Sequence, residues 1–440
     1  MMVQSKVAVI GAGLAGCEAA LVAARKGLRV DIFEMRPGRM TPAHLTGLPA
    51  ELVCSNSFKS MRLHSAHGVL KAELTILQSP LLDAAKRSAV PAGSALAVDR
   101  LVYSREIAGR LAGEPRVRLI RTEVEAPPEG YGACIIAAGP LVADSLERWL
   151  TGRGRAACLH FYDAIAPIVS AESIDRSVAF LASRCETDGS DYLNCPFTEE
   201  EYKRFYDALC EADRTLAHHF ESERFFEACL PIEVLAQRGD RALAFGPLKP
   251  IGLLDPRSGR RPHAVCQLRC ENEAGTCYNL VGFQTRLTIP SQKIVFRMIP
   301  GLKNAEFLRF GSIHRNTYLD SPELLSADLS FRESPPVFLA GQICGSEGYT
   351  ESIAIGHLAA LFAWSRLVGK PLPPPPRESA LGSLLHHVTG SRVRPFTPSN
   401  IHFGLFPPLP DNGKRMRRKA NRESLSERAL TALREWAKSL

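Results

Sequence analysis

Apolar and polar residues change their period several times along the chain, and each change predicts an element. Lys6 to Ile10 is an apolar run of the kind buried on both faces of a parallel sheet, and Leu14 to Lys26 repeats small and apolar residues at helical spacing. Arg29 to Phe33 is a second strand, closed by Glu34. Ala133 to Gly139 (ACIIAAG) and Pro336 to Ala340 (PVFLA) read as further strands. The second of these leads through GQICGSEGY into an apolar helix over Ile353 to Leu367. Between about Leu150 and Pro300 the texture changes. Glu199 to Glu211 and Ala212 to Phe226 carry the charged amphipathic pattern of surface helices, while Val265 to Leu268, Tyr278 to Phe283 and Lys293 to Met298 read as strands. Pro371 to Pro376 (PLPPPP) is a stiff polyproline stretch, and Leu425, Ala429, Leu430, Leu433, Trp436, Ala437 and Leu440 give a closing helix.

The chemistry of the first forty residues is specific. Gly11, Gly13 and Gly16 stand in a G-x-G-x-x-G pattern between strand and helix. They provide a tight turn, close backbone approach to a pyrophosphate, and close helix-to-strand contact. The phosphates then meet the exposed amides of the helix N-terminus, and Glu34 can accept from a ribose 2′-hydroxyl. This pattern alone does not separate FAD from NAD. The late strand–glycine–helix return at Gly341 and Gln342, with the strand at Ala133, favours FAD, because it closes one cofactor domain from distant segments. The expected architecture is α/β. A Rossmann-like FAD-binding domain in two parts, 1–149 and 306–370, is interrupted by an inserted α/β domain over 150–305. A Pro-rich linker and basic helical tail fill 371–440.

Length and composition narrow the class. A chain of 440 residues, 45% apolar and 23% charged, is long enough for two to three globular domains. It holds no continuous apolar stretch of about 18 residues, so no membrane span is expected. The strand-like start leaves no room for a secretory leader, and a cytoplasmic protein is expected. The 12 cysteines stand singly, without a C-x-x-C pair, which argues against zinc knuckles and dithiol redox motifs; no metal is expected. Most should be small buried residues. The net charge of +8 is mild, but Lys414 to Arg422 (KRMRRKANR) concentrates six basic residues without an acid. Such a run is either a solvated helix face or a contact for RNA phosphates.

Beyond these readings the chain resembles one family, the folate- and FAD-dependent tRNA (uracil-5-)-methyltransferases (TrmFO). The resemblance is carried by GAGLAGCEAA, MRPGRMTPAH, ELVCSNSFKS, VPAGSALAVDR, DYLNCPFTEEEY, FEACLPIEVLAQRG, FGPLKPIGL, YNLVGFQT, GSIHRNTYLDSP and AGQICGSEGYTES. It covers roughly residues 5 to 370, and IHFGLFPPLP extends it into the tail. Two departures are Cys344, where the family more often has Thr or another small residue, and Ala228, where Gly is usual. The related wobble-uridine flavoproteins of the GidA/MnmG kind resemble the chain mainly in the FAD segments, and they carry a long helical C-terminal domain that has no room here.

The resemblance implies methylation of carbon 5 of the T-loop uridine of tRNA, with 5,10-methylenetetrahydrofolate as one-carbon donor, reduced FAD as reductant and NAD(P)H to regenerate it. Carbon 5 is a poor nucleophile until a thiolate adds at carbon 6. Cys229, in EACLPIEV, is the expected nucleophile, and Cys54, in LVCSNSFK, the expected general base or its activating partner; the two roles are exchangeable. His314 is expected to stack on the folate pterin. Arg286 is expected to contact the folate glutamate or RNA phosphate, and Tyr349 to lie near flavin or base. Lys414, Arg415, Arg417, Arg418 and Lys419 are the expected RNA contacts. No membrane or protein partner is implied. Rival readings are the wobble-uridine activity, a thiol-disulfide flavin reductase, and a non-catalytic FAD-stabilised RNA-binding factor.

Overall fold

The computed structural model describes residues 6–152, 159–184, 191–215, 230–332, 336–410 and 418–440. Its first element, the strand β1 (Lys6–Ile10), is followed by helix α1 (Leu14–Arg25) and strand β2 (Arg29–Phe33), in the order the apolar periods predict. These three nucleate a five-stranded parallel sheet. Its order is Val337–Leu339, Ala133–Ile136, β1, β2, Val117–Ile120, so β1 is central and both late strands add on one side. The central strands are buried on both faces, which is why they read as apolar runs rather than alternations.

The long helix Tyr349–Val368 packs across α1. The approach is close because Gly356 faces α1 without a side chain: a Cβ there would lie 2.3 Å from the Ala15 carbonyl oxygen. A buried polar tie reinforces the contact. His357 Nδ1 lies 2.7 Å from Glu18 Oε1, and the second Glu18 oxygen accepts from the Leu81 amide at 3.0 Å.

The inserted α/β domain is built on a six-stranded sheet, ordered Phe180–Leu181, Tyr192–Phe197, Ala264–Cys270, Cys277–Leu280, Ile168–Ser170, Phe307–Arg309. Its ladders are antiparallel. The helix Glu199–Glu211 starts from a capping box between Thr198 and Glu201 and lays Tyr202, Phe205 and Leu209 into a second core. Phe197, Phe205, Phe283 and Phe296 run through that core in tilted and edge-to-face contacts, at centroid distances of 5.3, 6.1 and 5.4 Å. Entry and exit are paired: Leu159–Ile165 runs antiparallel to Ser312–Tyr318 as a two-stranded ribbon.

Two elements differ from expectation. Lys293 to Met298 does not form a strand. It lies in and just beyond the helix Ile289–Phe296, because Thr288 Oγ1 accepts from the Ser291 amide and Pro290 sits in the first turn. The expected helix from Ala212 does not begin there. Ala212 is extended, Arg214 bridges to Leu287 and the Thr215 amide donates to the Arg286 carbonyl at 2.8 Å, so pairing with a distant segment overrides the local period. The rest of that stretch lies outside the described residues.

Beyond the proline run the chain packs on the first core. Leu381, Leu384, Leu425 and Leu433 are buried there, each contributing about 1.5–3 kcal/mol through removal from water. Glu73, itself buried, accepts from the Ala380 and Leu381 amides at 2.7 and 2.8 Å, and Trp436 Nε1 donates to the Pro373 carbonyl at 2.8 Å. No helix among the described residues is long and apolar enough to cross a membrane.

Candidate functional site

The glycine loop opens a cleft of about 1050 Å³, its mouth included, along the ends of β1 and β2. Two of its glycines are required by contact. Gly11 has φ +102°, and a Cβ there would lie 2.5 Å from the Ala137 carbonyl oxygen; at Gly16 it would lie 1.9 Å from the Gly11 oxygen. Gly13 differs. It caps α1 without a side chain, and a Cβ on it would meet nothing within 4 Å. Gly13 therefore leaves the α1 amides bare toward the cleft, as a pyrophosphate requires. Gly341 (φ +83°) and Gln342 close the opposite wall, with Gln342 Nε2 donating to Glu347 at 2.7 Å. The residues present fit a dinucleotide.

Glu34 lies at the end of β2 and lines the cleft, 5% exposed. Its carboxylate accepts from the Ala12 amide at 2.8 Å and from the Arg36 amide and Nε at 3.0 and 2.9 Å. Burial alone would raise its pKa, but the Arg36 hydrogen bonds and charge hold it below the usual value. Arg36 also reaches Glu51 at 3.2 Å, so one guanidinium joins two acids on the cleft wall. Beside it, burial and then the Arg36 charge push the His44 pKa down to about 4, which keeps that ring neutral. Arg36, His44 and Glu51 lie at or near the string MRPGRMTPAH, but no spacing rule marks them individually.

At the other end of the cleft, Tyr349 lines the wall and its hydroxyl accepts from the Cys54 and Ser55 amides at 3.0 and 3.2 Å. Cys54 is partly buried, one residue past the cleft-lining Val53, with its sulfur 3.9 Å from the Ala164 carbonyl. Arg100 fixes the same loop, donating to the Leu52 carbonyl at 2.9 Å and the Cys54 carbonyl at 3.4 Å. Its Nε pairs with Glu271 of the inserted domain at 2.6 Å. Burial opposes the Arg100 charge, but Glu271 and then the Tyr349 and Cys54 fields raise its pKa. Arg309 is depressed by burial and by Arg100, and it lies within the fields of Cys54 and Tyr349. Arg100 thus holds the Cys54 loop through its backbone, and Arg309 lies close by. Sequence patterns gave no role to Arg100, Arg309 or Glu271, which meet only through the fold.

His314 lies on the ribbon, its Nε2 2.9 Å from Ser312 Oγ. Burial and then the Arg309 charge lower its pKa, which places it in the field of the same cation that Cys54 faces. Arg286 is not among the cleft walls. Its amide donates to Glu233 at 2.8 Å and its Nε stands 4.0 Å from the same carboxylate, on the inserted domain. Cys229 lies outside the described residues, as do Lys414, Arg415 and Arg417; Arg418 and Lys419 open the last helix. Among the described residues no group of three His, Cys, Asp or Glu is placed to hold a metal ion.

Comparison with known proteins now gives this geometry a class. A family model described as glucose inhibited division protein A matches residues 6–371. The structure of Aquifex aeolicus GidA in its form II crystal superposes with a TM-score of 0.70 at 16% identity, over 98% of this chain and 73% of that one. The chain belongs to the GidA family and has its Rossmann-like FAD-binding fold. Closer relatives narrow this. The methylenetetrahydrofolate--tRNA-(uracil-5-)-methyltransferase TrmFO of Anaeromyxobacter sp. (strain Fw109-5) is 51% identical over 99% of this chain and 97% of its own length. That of Heliobacterium modesticaldum is 52% identical over 98% and 97%. Within the GidA class, the chain belongs to the TrmFO family.

Proposed function

We propose that this chain methylates carbon 5 of the T-loop uridine of tRNA in the cytoplasm, taking the one-carbon unit from 5,10-methylenetetrahydrofolate. Family membership supports the reaction. One structural observation carries the reading further: the hydroxyl of Tyr349, whose ring walls the dinucleotide cleft, holds the Cys54 backbone, so a cysteine stands beside the place where a flavin would end. When bound, reduced FAD supplies the two electrons that turn the transferred methylene into methyl, with NAD(P)H as the proposed source of replacement electrons.

The residues divide the remaining work. Gly13 and the α1 amides bind pyrophosphate, and Glu34 orients the ribose. Cys229 adds to carbon 6, carbon 5 bonds to the methylene, and Cys54 takes the carbon-5 proton as the bond from the methylene to its carrier nitrogen breaks. Once two electrons and a proton have made the exocyclic methylene a methyl, the carbon-6 thiolate leaves; the two sulfurs can exchange these roles. Arg100 holds the Cys54 loop in place through the Leu52 and Cys54 carbonyls, with Arg309 close by. His314 stacks on the pterin, and Arg286 meets the folate glutamate or an RNA phosphate. Lys414, Arg415, Arg417, Arg418 and Lys419 contact RNA phosphate, with the target base turned out of its stack.

The test is nucleoside analysis of an unmodified tRNA transcript incubated with the purified yellow protein, methylenetetrahydrofolate and NADPH. Ribothymidine at the T-loop is expected, with carbon label from the folate. Its loss in Cys229→Ala with retained tRNA binding supports the thiol mechanism. A wobble-uridine product, or no product with full flavin, overturns the reading.

A further inference from the structure

A second cavity, separate from the cofactor cleft, lies where the start of the helix Ala66–Ile76 meets residues 401–404 and the last helix, Arg418–Ala437. Its volume is about 1060 Å³ including the open mouth. Its polar lining comprises His64, Ser65, His67, His402, Asn421 and Arg422, with no carboxylate among the lining residues. An acid-free wall stands out in a chain with 46 Asp and Glu.

The donors are available. Among the described residues the Arg422 guanidinium makes no ion pair, and it lies over the Phe403 ring, 5.8 Å from its centroid. His64 is exposed. His402 Nδ1 accepts from the Gly404 amide at 3.1 Å, which places its ring proton on Nε2. His67 Nδ1 donates to the Glu351 carboxylate at 3.2 Å, so this ring lines the wall without adding a donor to it. Phe403 adds an aromatic face within the same walls. A guanidinium, imidazoles and a ring face together match a phosphate with an attached base. Arg422 is also the last residue of the run KRMRRKANR in the sequence.

We infer that this cavity is a nucleotide-phosphate site which holds one residue of the RNA substrate away from the target base. The inference rests on the proposed tRNA reaction and adds to it a contact point outside the flavin cleft. An unattached dinucleotide such as NADPH carries the same chemistry, and the experiment separates the two sources.

Binding of a tRNA transcript to the holoenzyme is measured over a range of salt for wild type, Arg422→Gln, Arg422→Lys and His64→Ala, beside the KM for NADPH and the flavin content. Arg422→Gln should weaken tRNA binding about three- to tenfold and lower the slope of log K against log salt by about 0.7–0.9, the value of one phosphate contact. Arg422→Lys should keep the slope. His64→Ala, at an exposed position, should weaken binding without changing flavin content. A raised KM for NADPH with tRNA binding intact keeps the phosphate site and assigns it to the unattached dinucleotide. Unchanged tRNA binding, salt slope and KM in both Arg422→Gln and His64→Ala overturn the site. A wild-type protein that binds tRNA with these slopes but forms no ribothymidine leaves the site standing and removes the proposed reaction instead.

Discussion

The two ends of the cofactor cleft are built in opposite ways. At the nucleotide end, Gly11, Gly13, Gly16, Glu34 and Arg36 all belong to one strand–helix–strand unit and its exit. Contacts there are mostly backbone, and the critical positions are critical because a side chain would collide. At the sulfur end, Cys54, Arg100, Glu271, Arg309 and Tyr349 come from five separate segments, with the Arg100 and Tyr349 side chains gripping the Cys54 backbone and Arg100 pairing with Glu271. The first end is specified by local order, the second by tertiary structure. The first should therefore fail as a unit, and the second by degrees.

The largest expected effect tests the first half of that contrast. Gly16→Ala places a carbon 1.9 Å from the Gly11 oxygen, backbone against backbone, so neither side can yield. A loss of about 3 kcal/mol or more, with flavin absorbance per chain near zero, is expected from melting and spectra. A yellow, stable variant would break the comparison. At the other end, Tyr349→Phe keeps the ring against Phe58 but leaves the Cys54 and Ser55 amides without their acceptor. Methylation should slow about ten- to a hundredfold with flavin content unchanged, since each of the two lost hydrogen bonds is worth about 0.5–1.5 kcal/mol. A fall in flavin content would show the two ends to be one unit.

Two buried carboxylates sharpen the comparison electrostatically. Glu34 and Glu73 both accept backbone amides, but only Glu34 has a cation, and their pKa values part. Burial drives Glu73 up to about 8 against an ordinary 4.5, its two amides offsetting only part. The folded state therefore holds a proton the unfolded chain releases, so this contribution to stability is full below pH 4.5 and is lost as pH rises toward 8. Denaturant melts of Glu73→Gln across that window should show a flatter pH slope than wild type. Glu34, held low by Arg36, should contribute no loss there. The smallest effect on the folded body is expected from the tail. Neutralising Lys414, Arg415, Arg417, Arg418 and Lys419 should flatten the salt dependence of tRNA binding and leave flavin content alone; an unaltered slope would make the run ordinary solvated surface.

The same division explains what could be read in advance. The unit from β1 to β2 and the helix Glu199–Glu211 announce themselves through period, glycines and a Thr198–Glu201 cap, all local signals. Lys293 to Met298 misled because a short apolar run looks alike in strand and helix. The Thr288 cap and Pro290 just upstream held the answer. At Ala212 the expected helix does not begin, because Arg214 bridges to Leu287; the remainder of that stretch lies outside the described residues. At the site, Gly13 and Glu34 were legible as parts of a fingerprint. Arg100 and Arg309 were two arginines among many, with nothing nearby in the chain to mark the sulfur they face.

The ribbon of Leu159–Ile165 against Ser312–Tyr318 bears on how the protein withstands a broken chain. Because departure and return run side by side in continuous register, the excursion between them is a closed lobe on a double stalk. A peptide bond cut anywhere out in the lobe leaves both pieces zipped at the stalk, and the Arg100–Glu271 pair and the Asn56–Cys270 hydrogen bond pin the lobe a second time. Nicked enzyme should therefore travel as one particle in gel filtration and come apart only in denaturant.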